Sequence, residues 1–118
     1  MIDLARASEK EPILMGDIAA RQGFSRKYLH SLLVALKNAG LVRSVRGAQG
    51  GYVLARPPDK IRAREVFEAL EGRVAINHCL DNASLCPRSR SCSARRLWKD
   101  VNTAIAAVMD RVTLADLA

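Results

Sequence analysis

A chain of 118 residues, 49% of them hydrophobic, is long enough for one domain with a small core and an appended element, and no apolar run in it approaches the length needed to span a bilayer. Aromatic residues make up only 4% of it, so its core must be built from aliphatic side chains. The formal net charge of +7 and the absence of a signal-peptide pattern at the start predict a cytoplasmic chain that faces a polyanion and no membrane.

That charge is unevenly spread. Between Arg21 and Arg64 stand ten basic residues and a single acid, Asp59, whereas the remainder of the chain is slightly acidic. A basic segment set against an acidic remainder predicts one polyanion-facing surface. It is preferred to a plain solvated coat because the charges coincide with a helix pair and a ribbon.

Ile2 to Lys10 reads as the tail of a helix, with Ile2, Leu4, Ala5 and Ala7 apolar and Pro12 just beyond it. Met15 to Gln22 reads as a short helix with Ile18 and Ala19 facing inward, ended by Gly23. Ser25 caps a longer helix, Arg26 to Ala39, and its amide end also suits a phosphate. Tyr28, Leu29, Leu32, Leu33 and Leu36 recur there at helical spacing, which places Tyr28 in the core. The other face carries Arg26, Lys27, His30, Ser31, Val34, Lys37 and Asn38. A short helix, a three-residue turn with glycine and a longer second helix make a helix-turn-helix, whose second helix meets base edges through its first residues. Arg26, Lys27, His30 and Ser31 are the expected readers.

Leu41 to Arg46 and Tyr52 to Ala55 are strand-like and flank Gly47-Ala48-Gln49-Gly50-Gly51, a connection able to make the reversal of a hairpin. Pro57 and Pro58 end the second strand. Arg43, Arg46 and Arg56 ride on this ribbon, with Arg46 and Gly47 at the mouth of its turn. An arginine there either enters a minor groove or clamps a phosphate, and the two readings stand even. A two-stranded ribbon is marginal alone, so it must lean on the helix pair, giving a helix-turn-helix with a basic wing.

Ala63 to Glu71 reads as a helix with Val66, Phe67 and Leu70 on one side, closed by Gly72, and with Glu65, Glu68 and Glu71 on a solvated face. Val74 to Ser93 comes after it as a loop holding Cys79, Cys86 and Cys92, separated by six and five residues. This is not the close pairing of a zinc ribbon. Three thiols in one polar, turn-rich segment suit a metal or an iron–sulfur cluster, a thiol redox switch, or no role at all. Arg88 and Arg90, between the second and third, would favour thiolates. From Ser93 onward Leu97, Val101, Ile105, Val108 and Val112 recur every three or four residues. This stripe either folds back on the first helices or, the preferred reading, meets its own copy in a homodimer. With His30 and His78 as its only histidines and no nucleophile–base pairing or phosphate loop, the chain does not read as an enzyme.

The stretch GFSRKYLHSLLVALKNAGLVRSVRGAQGGYVLARPP, Gly23 to Pro58, resembles the helix-turn-helix and wing of the Rrf-two family of bacterial transcription regulators. The marks are Tyr28-Leu29, Leu32-Leu33, Ala39-Gly40-Leu41-Val42, Ser44-Val45-Arg46-Gly47, Gly50-Gly51-Tyr52 and Arg56-Pro57-Pro58. Phe67 to Gly72 is similar to the segment that family carries after its wing. The resemblance implies an iron–sulfur cluster, of 2Fe-2S or 4Fe-4S type, held by Cys79, Cys86 and Cys92, whose state alters DNA binding. It maps the family's wing arginine onto Arg46. His30 stands where members often carry glutamate, which implies a different operator preference. The family's first helix is longer, so this chain is expected to start near that helix's end.

The expected fold is mainly α with a small β-hairpin wing: a winged helix-turn-helix over residues 1–72, a cysteine loop over 73–92, and a long C-terminal dimerisation helix and tail over 93–118. The expected function is a homodimeric regulator that binds double-stranded DNA through Ser25, Arg26, Lys27, His30, Ser31, Arg43, Arg46 and Gly47. Two alternatives are a metal-free thiol or small-molecule sensor and a non-DNA iron–sulfur assembly or adaptor protein.

Overall fold

A computed structural model describes residues 1–7 and 11–118. Its helices are α1 (Ile2–Arg6), α2 (Met15–Gln22), α3 (Arg26–Asn38), α4 (Ala63–Glu71), α5 (His78–Asp81), α6 (Ala94–Arg111) and α7 (Leu114–Leu117). Strands β1 (Val42–Val45) and β2 (Gly51–Leu54) stand between α3 and α4, and 3-10 turns occupy Pro58–Lys60 and Ala83–Leu85. The chain is mainly helical with one antiparallel hairpin, as expected of a winged helix. The helix expected over Ile2 to Lys10 is described as far as Arg6, and its last residues, Ser8, Glu9 and Lys10, lie outside the described residues.

The helix pair forms for local reasons. Gly23 closes α2 at φ +68°, a left-handed conformation that glycine takes without strain. Two residues later the Ser25 hydroxyl accepts the Tyr28 N–H at 3.1 Å and so satisfies one free donor at the start of α3. The inner face of α3 buries Leu29, Leu33 and Leu36 against Leu4, Ile18, Ala19, Leu41, Val42 and Ile61. Each leucine so buried contributes roughly 1.5–3 kcal/mol relative to exposure. Tyr28 does not join them, contrary to the periodicity. It is 52% exposed and meets Phe24 edge to face, ring centroids 5.4 Å apart. One residue from the buried Leu29 on a helix of about 3.6 residues per turn, it points about 100° away from that side chain, so the buried stripe is narrower than the spacing implied.

The wing pairs Val42 with Leu54, Arg43 with Val53, Ser44 with Tyr52 and Val45 with Gly51. β1 is shorter than expected at both ends, since Leu41 is a bend and Arg46 lies outside the strand, whereas β2 keeps its expected length and is shifted one residue toward the turn, starting at Gly51 and ending at Leu54. The outer edge of β2 is covered as well. Ile13 and Tyr52 exchange two backbone hydrogen bonds, Ile13 N–H to Tyr52 at 3.0 Å and Tyr52 N–H to Ile13 at 2.9 Å. A side chain on Gly51 would collide with the Ile13 carbonyl, which is why the strand opens with glycine.

The C-terminal part returns to this domain. α6 ends at Arg111, and Val112 and Thr113 run extended beside Arg62. Ala63 N–H donates to Val112 at 2.8 Å and Leu114 N–H to Ile61 at 2.9 Å. Leu114, 2% exposed, then enters the core. The apolar stripe expected to run unbroken to Val112 is therefore cut at its end, and the residues beyond it do fold back on α1 and the domain core. Arg64 of α4 spans to α6, bonding Glu68 at 2.8 Å and Asp110 at 2.9 Å. The rest of α6 projects away, and the molecule measures 59 × 28 × 23 Å.

Candidate nucleic-acid interface

Arg26, Lys27, His30 and Ser31, at the start of α3, are all exposed, as are Arg43, Arg46 and Gly47 on the wing. Among the described residues none of Arg26, Lys27, Arg43 and Arg46 has an acidic partner. The side chains differ in what they are free to do. The Arg26 guanidinium lies over Gly16 in the first turn of α2. The Ser31 hydroxyl donates to the Tyr28 carbonyl at 2.7 Å, which leaves its lone pairs as acceptors. Lys37 Nζ donates to Ser44 Oγ at 2.9 Å and so links the end of α3 to β1.

The turn between the strands stays close to the strand ends. Gly47 adopts φ +119°, and Gly50 N–H donates to the Gly47 carbonyl at 3.0 Å. A β-carbon at Gly50 would strike the Val45 and Gly47 carbonyls, so the turn is built for glycine. Arg46 stands exposed beside it.

Arg56 is different. It was expected on the ribbon with Arg43 and Arg46, but it turns toward α4. Its Nη2 bonds Glu65 Oε1 at 2.7 Å and its Nη1 donates to the Lys60 carbonyl at 3.3 Å. The other oxygen of Glu65 accepts the Arg62 N–H at 3.0 Å. That N–H, and then the Arg56 guanidinium, hold the Glu65 carboxyl below the usual carboxylate range. The acids of α4 are thus not a merely solvated face, because Glu65 and Glu68 both hold arginines. Nothing local in the sequence marks the Arg56–Glu65 pair, since its members stand nine positions apart.

The cysteine segment is more ordered than a plain loop. Cys79 lies on α5, Cys86 comes directly after the Ala83–Leu85 turn and Cys92 precedes α6. All three are free thiols, Cys79 and Cys86 half-buried and Cys92 exposed. α6 holds the segment at two places that no sequence signal singles out. Asn102 Oδ1 accepts the Ile76 N–H at 3.1 Å while its Nδ2 donates to the Val74 carbonyl at 2.9 Å. Arg95 donates to the Cys79 carbonyl at 3.2 Å. In kind, three unpaired thiols in one segment fit an iron–sulfur cluster. In arrangement, no three metal-ligating side chains are gathered among the described residues.

A capped helix-turn-helix beside a glycine-built hairpin, both presenting exposed basic side chains, defines a winged-helix DNA-binding protein. A family described as "Rrf2: Iron-dependent Transcriptional regulator" matches residues 1–118. The chain is 38% identical to the HTH-type transcriptional regulator CymR of Bacillus subtilis, covering 100% of this chain and 80% of CymR. It is 36% identical to the HTH-type transcriptional regulator IscR of Aliivibrio salmonicida, over 99% of this chain and 69% of IscR. The structure of CymR, "the Global Cysteine Regulator of B. subtilis", superposes with a TM-score of 0.81 at 38% identity, covering 99% of this chain and 85% of that one. The chain belongs to the Rrf2 family and is a DNA-binding transcriptional regulator, not an enzyme. No helix among its described residues is long and apolar enough to cross a membrane.

Proposed function

We propose that this chain acts in the cytoplasm as a homodimer that reads operator DNA through α3 and the wing, and that Cys79, Cys86 and Cys92 hold an iron–sulfur cluster whose state sets operator affinity. The observation that carries the DNA-facing half is the exposure, without acidic partners among the described residues, of Arg26, Lys27, Arg43 and Arg46. Lys27, His30 and Ser31 take base edges from the first turns of α3, with Ser31 acting as an acceptor. Arg26, laid over the start of α2, takes a phosphate, as does the amide end capped by Ser25. Arg43, Arg46 and the Gly47 backbone meet the groove beside that helix.

The cluster reading is supported by the donor chemistry, by the family's iron-dependent description and by the likeness to IscR. When bound, such a cluster supplies one-electron redox chemistry and sensitivity to iron supply. The chain's own part is mechanical. Asn102 and Arg95 hold the cysteine segment to α6, and Arg64 holds α6 to α4 through Asp110, so a change in the segment reaches the domain that carries α3. Protein purified and reconstituted without oxygen is expected to show visible absorption with bound iron and sulfide, and to change operator affinity when the cluster is lost. A colourless product with neither element overturns the cluster.

A second reading, a metal-free thiol sensor, is favoured by the same ungathered thiols, of which Cys92 is exposed and free to react singly. Alkylation that shifts operator affinity in metal-free protein distinguishes it.

A further inference from the structure

DNA-binding surfaces are usually read for their cations. Here an anion stands at the base of the wing. Glu65 lies in the first turn of α4, outside the hairpin. Its carboxylate nevertheless holds a residue just past the strands. One oxygen bonds Arg56 at 2.7 Å, two residues beyond the end of β2, and the other bonds the Arg62 N–H at 3.0 Å. Between these points Pro57 and Pro58 restrict the backbone, Pro58–Lys60 forms a 3-10 turn, and Ile61 is fully buried. Arg56 also closes on this turn through the Lys60 carbonyl. The segment from Arg56 to Glu65 is therefore a closed brace, anchored at one end in the core and at the other to the wing.

We propose that the Arg56–Glu65 pair sets the angle of the wing, which makes Glu65 a positioning residue for operator recognition although it touches no DNA. The inference rests on the reading that the wing meets DNA. It assigns Arg56 a role opposite to the one its charge suggests, because its guanidinium is committed to a carboxylate and is not counted among the phosphate contacts. Both side chains are about two-fifths exposed, 41% and 39%, so the pair is of the kind that contributes modestly to folding. Its value lies in fixing a direction.

The charge itself provides the test. Removing an acid next to a DNA-binding surface strengthens binding to a polyanion on electrostatic grounds. The brace requires the reverse. Glu65→Gln, in the full chain, is expected to weaken specific operator binding about three- to fivefold, the range open to a half-exposed pair, while binding to random duplex of equal length is not weakened. Active fractions measured by stoichiometric titration separate this from misfolding, which lowers the fraction and leaves the dissociation constant. Arg56→Ala is expected to weaken operator binding to a similar extent with an unchanged salt slope; a phosphate contact would lower that slope by about 0.9. Unchanged or tighter operator binding by Glu65→Gln, or a lower slope in Arg56→Ala, overturns the brace. Arg46→Ala serves as the control for the underlying reading. If it weakens operator binding while Glu65→Gln does not, the brace alone fails, and if it has no effect, the DNA-facing wing fails and the brace with it.

Discussion

Asp116 fastens the last turn of the chain with one oxygen. Its Oδ2 accepts the Thr113 N–H and the Thr113 hydroxyl, each at 2.8 Å, and its own N–H reaches back to that hydroxyl at 3.4 Å. The backbone donor first, and the hydroxyl second, hold the Asp116 carboxyl below the usual aspartate range. A carboxyl that is more acidic in the folded chain adds stability above its unfolded value, about pH 4, and loses that contribution as pH falls through its lower folded value. Asp116→Asn is therefore expected to be less stable than the parent chain at pH 7, with the gap closing below about pH 4. Thermal melts across that range measure it, and a gap that stays constant would show that the charge is not what binds Thr113. The spacing Thr113-x-x-Asp116 is itself a capping pattern legible in the sequence. It passes unnoticed when the apolar stripe from Leu97 is extended one residue too far. Tyr28 misleads in the opposite way, since it shares the first turn of α3 with the buried Leu29 but stands at the edge of the apolar stripe, where Phe24 gives it only partial cover.

Elements bounded by strong local signals are the ones the sequence makes plain. α2 and α4 run between the expected limits because Gly23 and Gly72 end them, and α3 loses only Ala39. α5 has no such signal, as four residues cannot display a period, and beyond the adjacent Ala83–Leu85 turn it is held by α6, far along the chain. The Asn102 side chain is the clearest case. It pairs with an N–H and a carbonyl of residues 74–76 as a neighbouring strand would, a role that only the folded chain assigns. Asn102→Ala removes two hydrogen bonds of about 1 kcal/mol each. Faster amide exchange at Ile76, with α3 amides unchanged, is the expected result. Equal exchange at both would mean that the segment and the winged domain open together, and that the clamp carries no local stability.

At the scale of the whole molecule, α6 is the element whose surroundings are incomplete. Its length of about 27 Å follows from its 18 residues. None of them is buried, and Leu97, Trp98 and Val108 are 61%, 39% and 51% exposed. Its last turns are pinned to α4 through Asp110, and Arg95 and Asn102 hold the cysteine segment, which leaves Leu97, Trp98 and Val108 open to solvent. Apolar surface left in water costs roughly 25 cal/mol per Å², and a two-fold axis through this helix would cover the same patch on both copies at once. It would also place two recognition helices on one duplex, where paired half-sites lie about 34–36 Å apart. A charge on that axis meets its own copy, so Leu97→Asp sets two carboxylates against each other in a patch that must lose water. Sedimentation of the parent chain at micromolar concentration is expected to give twice the 12.9 kDa protomer mass, and of Leu97→Asp the protomer mass. The variant should keep its melting transition, since Leu97 contributes little to the fold of one protomer, and should lose cooperative binding to a two-half-site operator while retaining weak binding to one. A parent chain that sediments as a protomer would remove the dimer, and with it the reason for the exposed stripe.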